Sequence, residues 1–453
     1  MKISYHSNAS PRHLLLLGLF FSLFLFSTSV QAQDTDEGTD DKKLIEVNSS
    51  LNYELLEQNQ YTRKPDILLN AVSKNRIKPG KLYLGASLIA LLDYQASNTD
   101  SKFGYLMRHP TSSNQIGKEV SEATLHSAQI MIAGSITNWL SIYSELLYDP
   151  QQSFGSGTIT TLTRNQTQIR RGFIVFGNLD KFPVYGALGK LDVNFGYQGS
   201  VSPFTNSTMW HAFAGLGFGG MVGVNLGGFN GSFTAIQGGA QFRALHVPVE
   251  GTTVPSRLNN FAFDGNYTLN LGQGTSVQAG ASFVRGTSYC QGFPVVHFMP
   301  CDQPNGAGTF YGSAYVGKLR LIGAWAITED TWPGTHNPVP PLNQFAEEKV
   351  SSLVGGASYV LSDNGMYSFI LSGEFSNFVA GPDGSPWERQ NQYVLGGSLM
   401  INKSSKLFIE VFRTEGYAPL NFISGGNLEN PGATHSDRDA RSHGIIFGGH
   451  IVL

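Results

Sequence analysis

The sequence predicts an all-β chain, a transmembrane antiparallel β-barrel of about sixteen strands with short periplasmic turns and long extracellular loops. Three observations carry this. Charged residues make up 14% of the 453, against roughly 25% in an ordinary soluble domain, and 53 glycines exceed the usual ~7%. Segment after segment alternates apolar and polar side chains with period two, which sets one face against lipid and the other against a wet interior. No stretch after the leader reads as a spanning helix: the nearest candidate, 212–229, holds seven glycines and Asn225 and would form a poor helix.

Taken in order, Lys2 and Arg12 precede an apolar core over 14–26, and Val30-Gln31-Ala32 offers small residues for cleavage before Gln33. Residues 1–32 are therefore read as an export signal. Its removal takes two of the 30 basic residues and none of the 33 acidic ones, so the net charge moves from −3 to −5. That balance argues against a nucleic-acid partner. Residues 33–80 are polar and charged, with Leu44, Leu51 and Leu55 spaced only loosely like a helix. They are expected to form a short periplasmic segment, too short for a folded plug. Residues 81–453 are the barrel.

The first strand is read over 82–95. Leu82, Leu84, Ala86, Leu88, Ala90, Leu92 and Tyr94 share its outward face, and Tyr83, Gly85, Ser87, Asp93 and Gln95 the inward one. Its length exceeds the ~9 to 11 tilted residues that cross a bilayer. A second strand, 124–136, turns at Thr137-Asn138 into a third over 139–148, with Leu140, Ile142, Leu146 and Tyr148 outward and Ser141, Tyr143 and Glu145 inward. The cycle of strand, short turn, strand and long loop then repeats. Short turns are expected at 178–183, 219–220, 272–274, 317–318, 362–365 and 402–405, where glycine, asparagine and aspartate supply positive backbone angles. Long polar loops are expected at 150–165, 199–206, 230–259, 289–309, 330–349, 380–390 and 418–441. A barrel of this size implies an aqueous channel. One pair resists the pattern: Arg170 and Arg171 are adjacent in a strand, so strict alternation sends one outward, where a midplane arginine costs ~2 to 4 kcal/mol.

The closing strand, 442–453, turns Leu453, Ile451, Gly449, Phe447 and Ile445 outward and Val452, His450, Gly448, Ile446 and Gly444 inward. Its expected partner is the first strand. Gly448, Ile451 and Leu453 resemble the C-terminal assembly signal of bacterial outer-membrane barrels, with leucine where an aromatic is usual. The charged or titratable side chains assigned inward are Asp93, Glu145, Lys190, Asp192, Asp264, Arg320, Glu374, Glu410 and His450. These pore-lining candidates are acidic on balance, which predicts a mild cation preference. Cys290 and Cys301 are expected to pair in an oxidising compartment, closing a loop of about twelve residues for ~3 kcal/mol. Two cysteines without neighbouring ligands make no metal site, and His126 has no partner at catalytic spacing. No catalytic residue, metal or cofactor is expected.

The block GFIVFGNLDKFPVYGALGKLDVNFGYQGSVSPFT, 172–205, resembles a recurring block of the siderophore-porin family of the LbtU kind, and more distantly one of phosphate-selective porins. The matching positions are Gly177, Asn178, Pro183, Gly189, Lys190, Phe195 and Gly196, then Ser202, Pro203, Phe204 and Thr205. Asn194 stands where a proline is common. The Asn138-Trp139 turn and the strand bearing Glu145 are also similar. The resemblance implies an outer-membrane porin of a Gram-negative bacterium, passing small polar solutes or a ferric siderophore, with subunits forming a homotrimer. Its surroundings would be outer-membrane lipid, lipopolysaccharide and the outer-membrane assembly machinery. Two other readings stand beside it: a general or ion-selective diffusion porin without siderophore specificity, and a surface adhesion or structural barrel that acts through its loops.

Overall fold

The structure, a computed structural model, describes residues 44–100, 102–104, 117–149, 166–197, 199–237, 257–290, 303–418 and 432–453. The export signal over 1–32, residues 33–43 and Cys301 lie outside the described residues.

A short strand β1 (Ile45–Glu46) comes first. Two helices follow, α1 (Ser49–Leu56) and α2 (Lys64–Ser73). Sixteen strands then succeed one another: β2 (Lys81–Ser97), β3 (Glu119–Thr137), β4 (Leu140–Asp149), β5 (Gln166–Phe176), β6 (Val184–Val193), β7 (Gly215–Leu226), β8 (Phe229–Gln237) and β9 (Leu258–Gly272). The second half is β10 (Thr275–Val284), β11 (Ala307–Val316), β12 (Leu319–Thr331), β13 (Lys349–Asp363), β14 (Tyr367–Val379), β15 (Arg389–Ile401), β16 (Ser405–Tyr417) and β17 (Asp437–Val452). Each of β2 to β17 pairs antiparallel with its neighbour, and β17 pairs with β2 from Ser442↔Ser97 to Val452↔Ser87. The barrel is closed and has sixteen strands. β1 lies parallel to β2 at Leu82 and Tyr83, beyond the reach of β17. It covers a stretch of β2 edge that β17 leaves bare.

The faces separate as the alternation requires. Along β2 every second residue from Lys81 to Ser97 is buried, while Leu84, Leu92 and Tyr94 are exposed. The same outward belt runs round the ring through Ile174, Leu188, Phe263, Trp325, Leu371, Tyr393, Ile409 and Phe447. An edgeless barrel with an apolar outer face satisfies its backbone internally and presents hydrocarbon-like surface outside, as a membrane-spanning wall must.

The glycine-rich stretch departs from expectation. Its turn falls at Gly227 and Gly228, both at positive φ (59° and 91°), and not at 219–220. Gly219 serves close approach of strands instead: a Cβ there would lie 2.0 Å from the Ala235 carbonyl oxygen.

The larger correction concerns residues 44–80. They do not lie outside the barrel as a loose segment. Asn48 caps α1 by accepting from the Leu51 N–H at 3.0 Å, and Pro65 opens α2 where its missing N–H costs nothing. Leu51, Leu55, Leu56, Ile67, Leu68 and Leu69 are buried against the inward faces of Tyr83, Met131, Tyr143, Phe173 and Tyr185. Each such side chain contributes roughly 1.5 to 3 kcal/mol of burial. The wall supplies aromatics and a methionine that an aqueous channel would leave wet, and the two helices cover them.

Candidate functional site

Residues 57–64, the connection between α1 and the start of α2, carry the cross-lumen contacts. Glu57 pairs with Lys406 of β16 at 2.7 Å. The Arg320 guanidinium of β12 sits 3.9 Å above the Tyr61 ring. Arg63 donates to Ser232 of β8 at 3.0 Å and pairs with Asp264 of β9 at 3.2 Å. Lys64 faces Glu145 of β4 at 3.4 Å. Strands β4, β8, β12 and β16 stand four apart in a ring of sixteen, so this short connection touches the wall on four sides and crosses the barrel axis.

The electrostatics of these anchors follow from burial and partners. Burial alone would raise the Glu57 carboxyl, but Lys406 and His450 outweigh it and hold the group well below the usual range. Lys64 is pushed down to about 8 by burial, against the pull of Glu145. Arg63 is held above its ordinary value because Asp66, Tyr185 and Asp264 overcome the cost of burial.

A second obstruction comes from residues 194–214, which include the helix α3 (Thr208–Phe213). The sequence reads 199–206 as a polar loop; here it is folded inward. The Val201 N–H and the Ser200 hydroxyl donate to Glu374 at 3.0 and 2.7 Å. The N–H groups of Phe204 and Thr205 donate to Glu410 at 2.6 and 3.1 Å. Phe204 stacks on Phe408 at 5.3 Å and meets the His126 ring edge-on at 4.9 Å. Two wall glycines make the room: a Cβ at Gly396 would lie 2.4 Å from Pro203, and one at Gly356 would lie 2.6 Å from Val201.

Of the nine residues the sequence assigns inward, Asp93, Glu145, Asp264, Arg320, Glu374, Glu410 and His450 share the parity of the buried wall residues, whereas on β6 it is Tyr185, Ala187 and Leu191 that are buried, and Lys190 and Asp192 fall on the parity of exposed Leu188. Glu145, Asp264, Arg320, Glu374 and Glu410 meet the inserted elements as described. Asp192 holds Arg171 with two bonds of 2.7 and 2.6 Å. Lys190 donates to the Ile169 carbonyl at 2.9 Å, and His450 sits 3.7 Å from Glu57. Asp93 is buried opposite Glu122 in the β2–β3 ladder. The nine residues hold six carboxylates against Lys190 and Arg320; Arg63, Lys64, Arg170, Arg171 and Lys406 bring positive charge beside them, and Glu57 and Asp66 of the inserted segment bring negative charge.

The arginine pair is resolved by a β-bulge. In the β4–β5 ladder Glu145 pairs with Arg171 and Leu146 with Ile169, so Arg170 is the extra residue. Both side chains then point inward, with Glu145 3.8 Å from Arg170 and 3.3 Å from Arg171. Neither pays the lipid-face penalty. Period-two counting cannot see a bulge, which is why sequence reasoning missed these residues. Two adjacent arginines in a spanning strand were the available signal.

Cys290 is disulfide-bonded. At the closing strand, Gly448 faces inward against Phe408, and Leu453 continues the ladder by donating its N–H to the Ala86 carbonyl at 2.9 Å. Among the described residues no group of three or more metal-ligating side chains comes together.

No family model matches the chain, and no curated protein matches it in sequence. Solved structures do. An anion-selective porin from Comamonas acidovorans is 12% identical, with 82% of this chain and 99% of that one covered, at a TM-score of 0.49. The outer-membrane channel DcaP of Acinetobacter baumannii is 11% identical, with 82% and 97% covered, at 0.47. A Salmonella typhi OmpF complex with daunomycin is 11% identical, with 82% and 98% covered, at 0.46. The likeness is one of barrel type.

Proposed function

We propose that the chain is a porin of the bacterial outer membrane, a channel for small polar solutes, and that residues 44–80 are its displaceable plug. The carrying observation is the four-sided anchoring of residues 57–64 inside a closed sixteen-strand barrel with an apolar exterior. Such contacts are polar and local. They hold a plug in place without welding it to the wall. Asp93, Glu145, Asp192, Asp264, Arg320, Glu374, Glu410 and His450 line the path once the segment leaves. The finer reading, uptake of a ferric siderophore, is supported by the resemblance of 172–205 to the siderophore-porin block. The proposed setting is outer-membrane lipid and lipopolysaccharide, after insertion by the assembly machinery, as a homotrimer.

Purified protein in planar bilayers tests this. Stepwise conductance that rises on deletion of 44–80 is expected, and its modulation by a ferric siderophore supports the finer reading. A second reading, a structural or adhesion barrel with a blocked lumen, is favoured by the aromatic contacts of Phe213 with Tyr289 and of Tyr289 with Trp332. Absence of conductance from the deletion variant would establish that reading and remove the pore.

A further inference from the structure

We infer that the cavity between the inserted segment and the wall strands β7 to β10 is a binding site for a neutral, polyhydroxylated solute of the size of one sugar ring. The inference rests on the pore reading and names a class for its small polar solutes. The cavity holds about 170 Å³, the liquid volume of about six waters at ~30 Å³ each. The inserted segment bounds it with Tyr61, Arg63, Asp66 and Asn70.

On the other side, four consecutive strands each supply a side-chain amide: Asn225 from β7, Asn230 from β8, Asn266 from β9 and Gln278 from β10. The register sets three of them in one row, with Asn225 opposite Asn230 and Asn230 opposite Asn266. Gln278 joins the row by donating to the Asn266 carbonyl oxygen at 3.1 Å. Asn194, just past β6, adds a fifth amide and is buried. Holding the plug does not account for this row. Of the wall amides only Asn230 bonds the inserted segment, donating to Asp66 at 3.3 Å. The Asn225 amide bonds no described residue, and the carbonyl oxygens of Asn194 and Gln278 accept from none, although their N–H groups donate to Ser232 and to Asn266 and Thr268.

The charges at this place are matched among themselves. Arg63 pairs with Asp66 at 2.8 Å and with Asp264 at 3.2 Å, and Asp264 also accepts from Ser282 and Tyr311, each at 2.7 Å. A cationic solute would compete with Arg63 for carboxylates already engaged, and an anionic one would meet two carboxylates for one guanidinium. Neither recovers what it loses on leaving water. An amide carries acceptor and donors together, which complements a hydroxyl that both donates and accepts. Several hydroxyls on one ring therefore match several amides in one row. Neutral bonds of this kind are individually weak, and a channel solute must leave as readily as it enters.

Saturation-transfer NMR on the full chain in detergent tests the site with glucose, glucuronate and glucosamine, which share a ring and differ in charge. Glucose binding is expected, with both charged analogues at least threefold weaker. Asn225→Leu and Gln278→Met keep side-chain size while removing hydrogen bonds, and each should weaken glucose about fivefold to tenfold. Heat-modifiable migration checks that each variant is folded. Because one side of the site belongs to the plug, glucose at about ten times its Kd should lower the undocked fraction about tenfold and slow protease cleavage within 57–64 to match. No glucose binding, equal or tighter binding of either charged analogue, glucose binding unchanged by both variants in a folded barrel, or cleavage unchanged by glucose each overturns the proposal. Conductance of the 44–80 deletion variant in salt alone reports the pore by itself: conductance with no glucose binding to the full chain removes only the site, and glucose binding without that conductance keeps the site and removes the pore.

Discussion

Glu57→Gln should loosen the plug while sparing the barrel. Glu57 and Lys406 are 11% and 8% exposed at their side chains, and their atoms are 2.7 Å apart. Removing one partner of such a buried pair costs ~3 to 5 kcal/mol. The lower end applies, because Lys406 also donates to the Pro203 carbonyl and the new amide can still accept from it. At 1.4 kcal/mol per tenfold, about 3 kcal/mol raises the undocked fraction roughly 100-fold. The ladder between β16 and β17 is untouched, so heat-modifiable migration of the folded barrel should be unchanged. Two assays read the outcome: open probability in bilayers, and cleavage within 57–64 by protease added to the folded protein. Lys406→Met should act in the same direction, and the double variant should fall short of the sum, since both remove one interaction. Unchanged open probability and unchanged protease protection in both single variants would refute the plug.

Three further outcomes follow from the same geometry. Deleting Arg170 removes only the extra residue of a bulge and should leave barrel assembly intact, whereas deleting Val175 shifts a paired strand by one and turns its apolar set inward; equal assembly yields would show that the bulge is misplaced. Gly448→Asp should impair assembly, because a Cβ there lies 2.1 Å from the Phe408 ring, while Leu453→Phe, at the barrel's rim, should be tolerated; normal outer-membrane insertion of the aspartate variant would contradict this. Lys64 sits near 8 when docked, so between about 8 and the ordinary ~10.4 the released segment binds more protons than the docked one. Docking therefore strengthens as pH rises through that window and is weakest below 8, and faster proteolysis at pH 9.5 than at pH 7.5, corrected for protease activity, would reverse the sign.

The wall of the barrel is legible in the sequence because its physics is local. Lipid on one side and polar interior on the other impose period two, and Asp93, Glu145, Glu374 and Glu410 could be assigned inward from their neighbours alone. What was not legible depends on contacts distant in the chain. Glu410 reads as a wet wall charge until the main chain of Phe204 and Thr205 is seen to bind it. The segment 44–80 reads as periplasmic because its helices are short and its leucines loosely spaced. A clue lay in the wall itself: Tyr83, Met131, Tyr143, Phe173 and Tyr185 are inward and apolar near the turn end, where an open channel would leave them wet. Large inward side chains on consecutive strands ask for a partner, and only the N-terminal segment was unassigned.

Two elements obstruct the lumen, and their attachments decide which one moves. Residues 194–214 are tied to strands at both ends, β6 and β7, and their N–H groups satisfy the Glu374 and Glu410 carboxylates. Withdrawing that loop would leave two buried carboxylates without donors, each costing several kcal/mol. Residues 44–80 join the barrel through the chain entering β2 and through β1, which pairs with β2 at Leu82 and Tyr83, and their side-chain anchors can each find water or another partner on release. Their apolar contacts, such as Leu51 and Ile67, resist displacement, but the opposing wall is mixed with Tyr143 and Tyr185, whose hydroxyls tolerate water. On the proposed plug reading, the element that leaves is the N-terminal segment and the inner loop stays fixed. The wall facing that segment carries Arg170, Arg171 and Lys406 together with Glu145, Asp192 and Asp264, so charges of both signs border the path its departure would open.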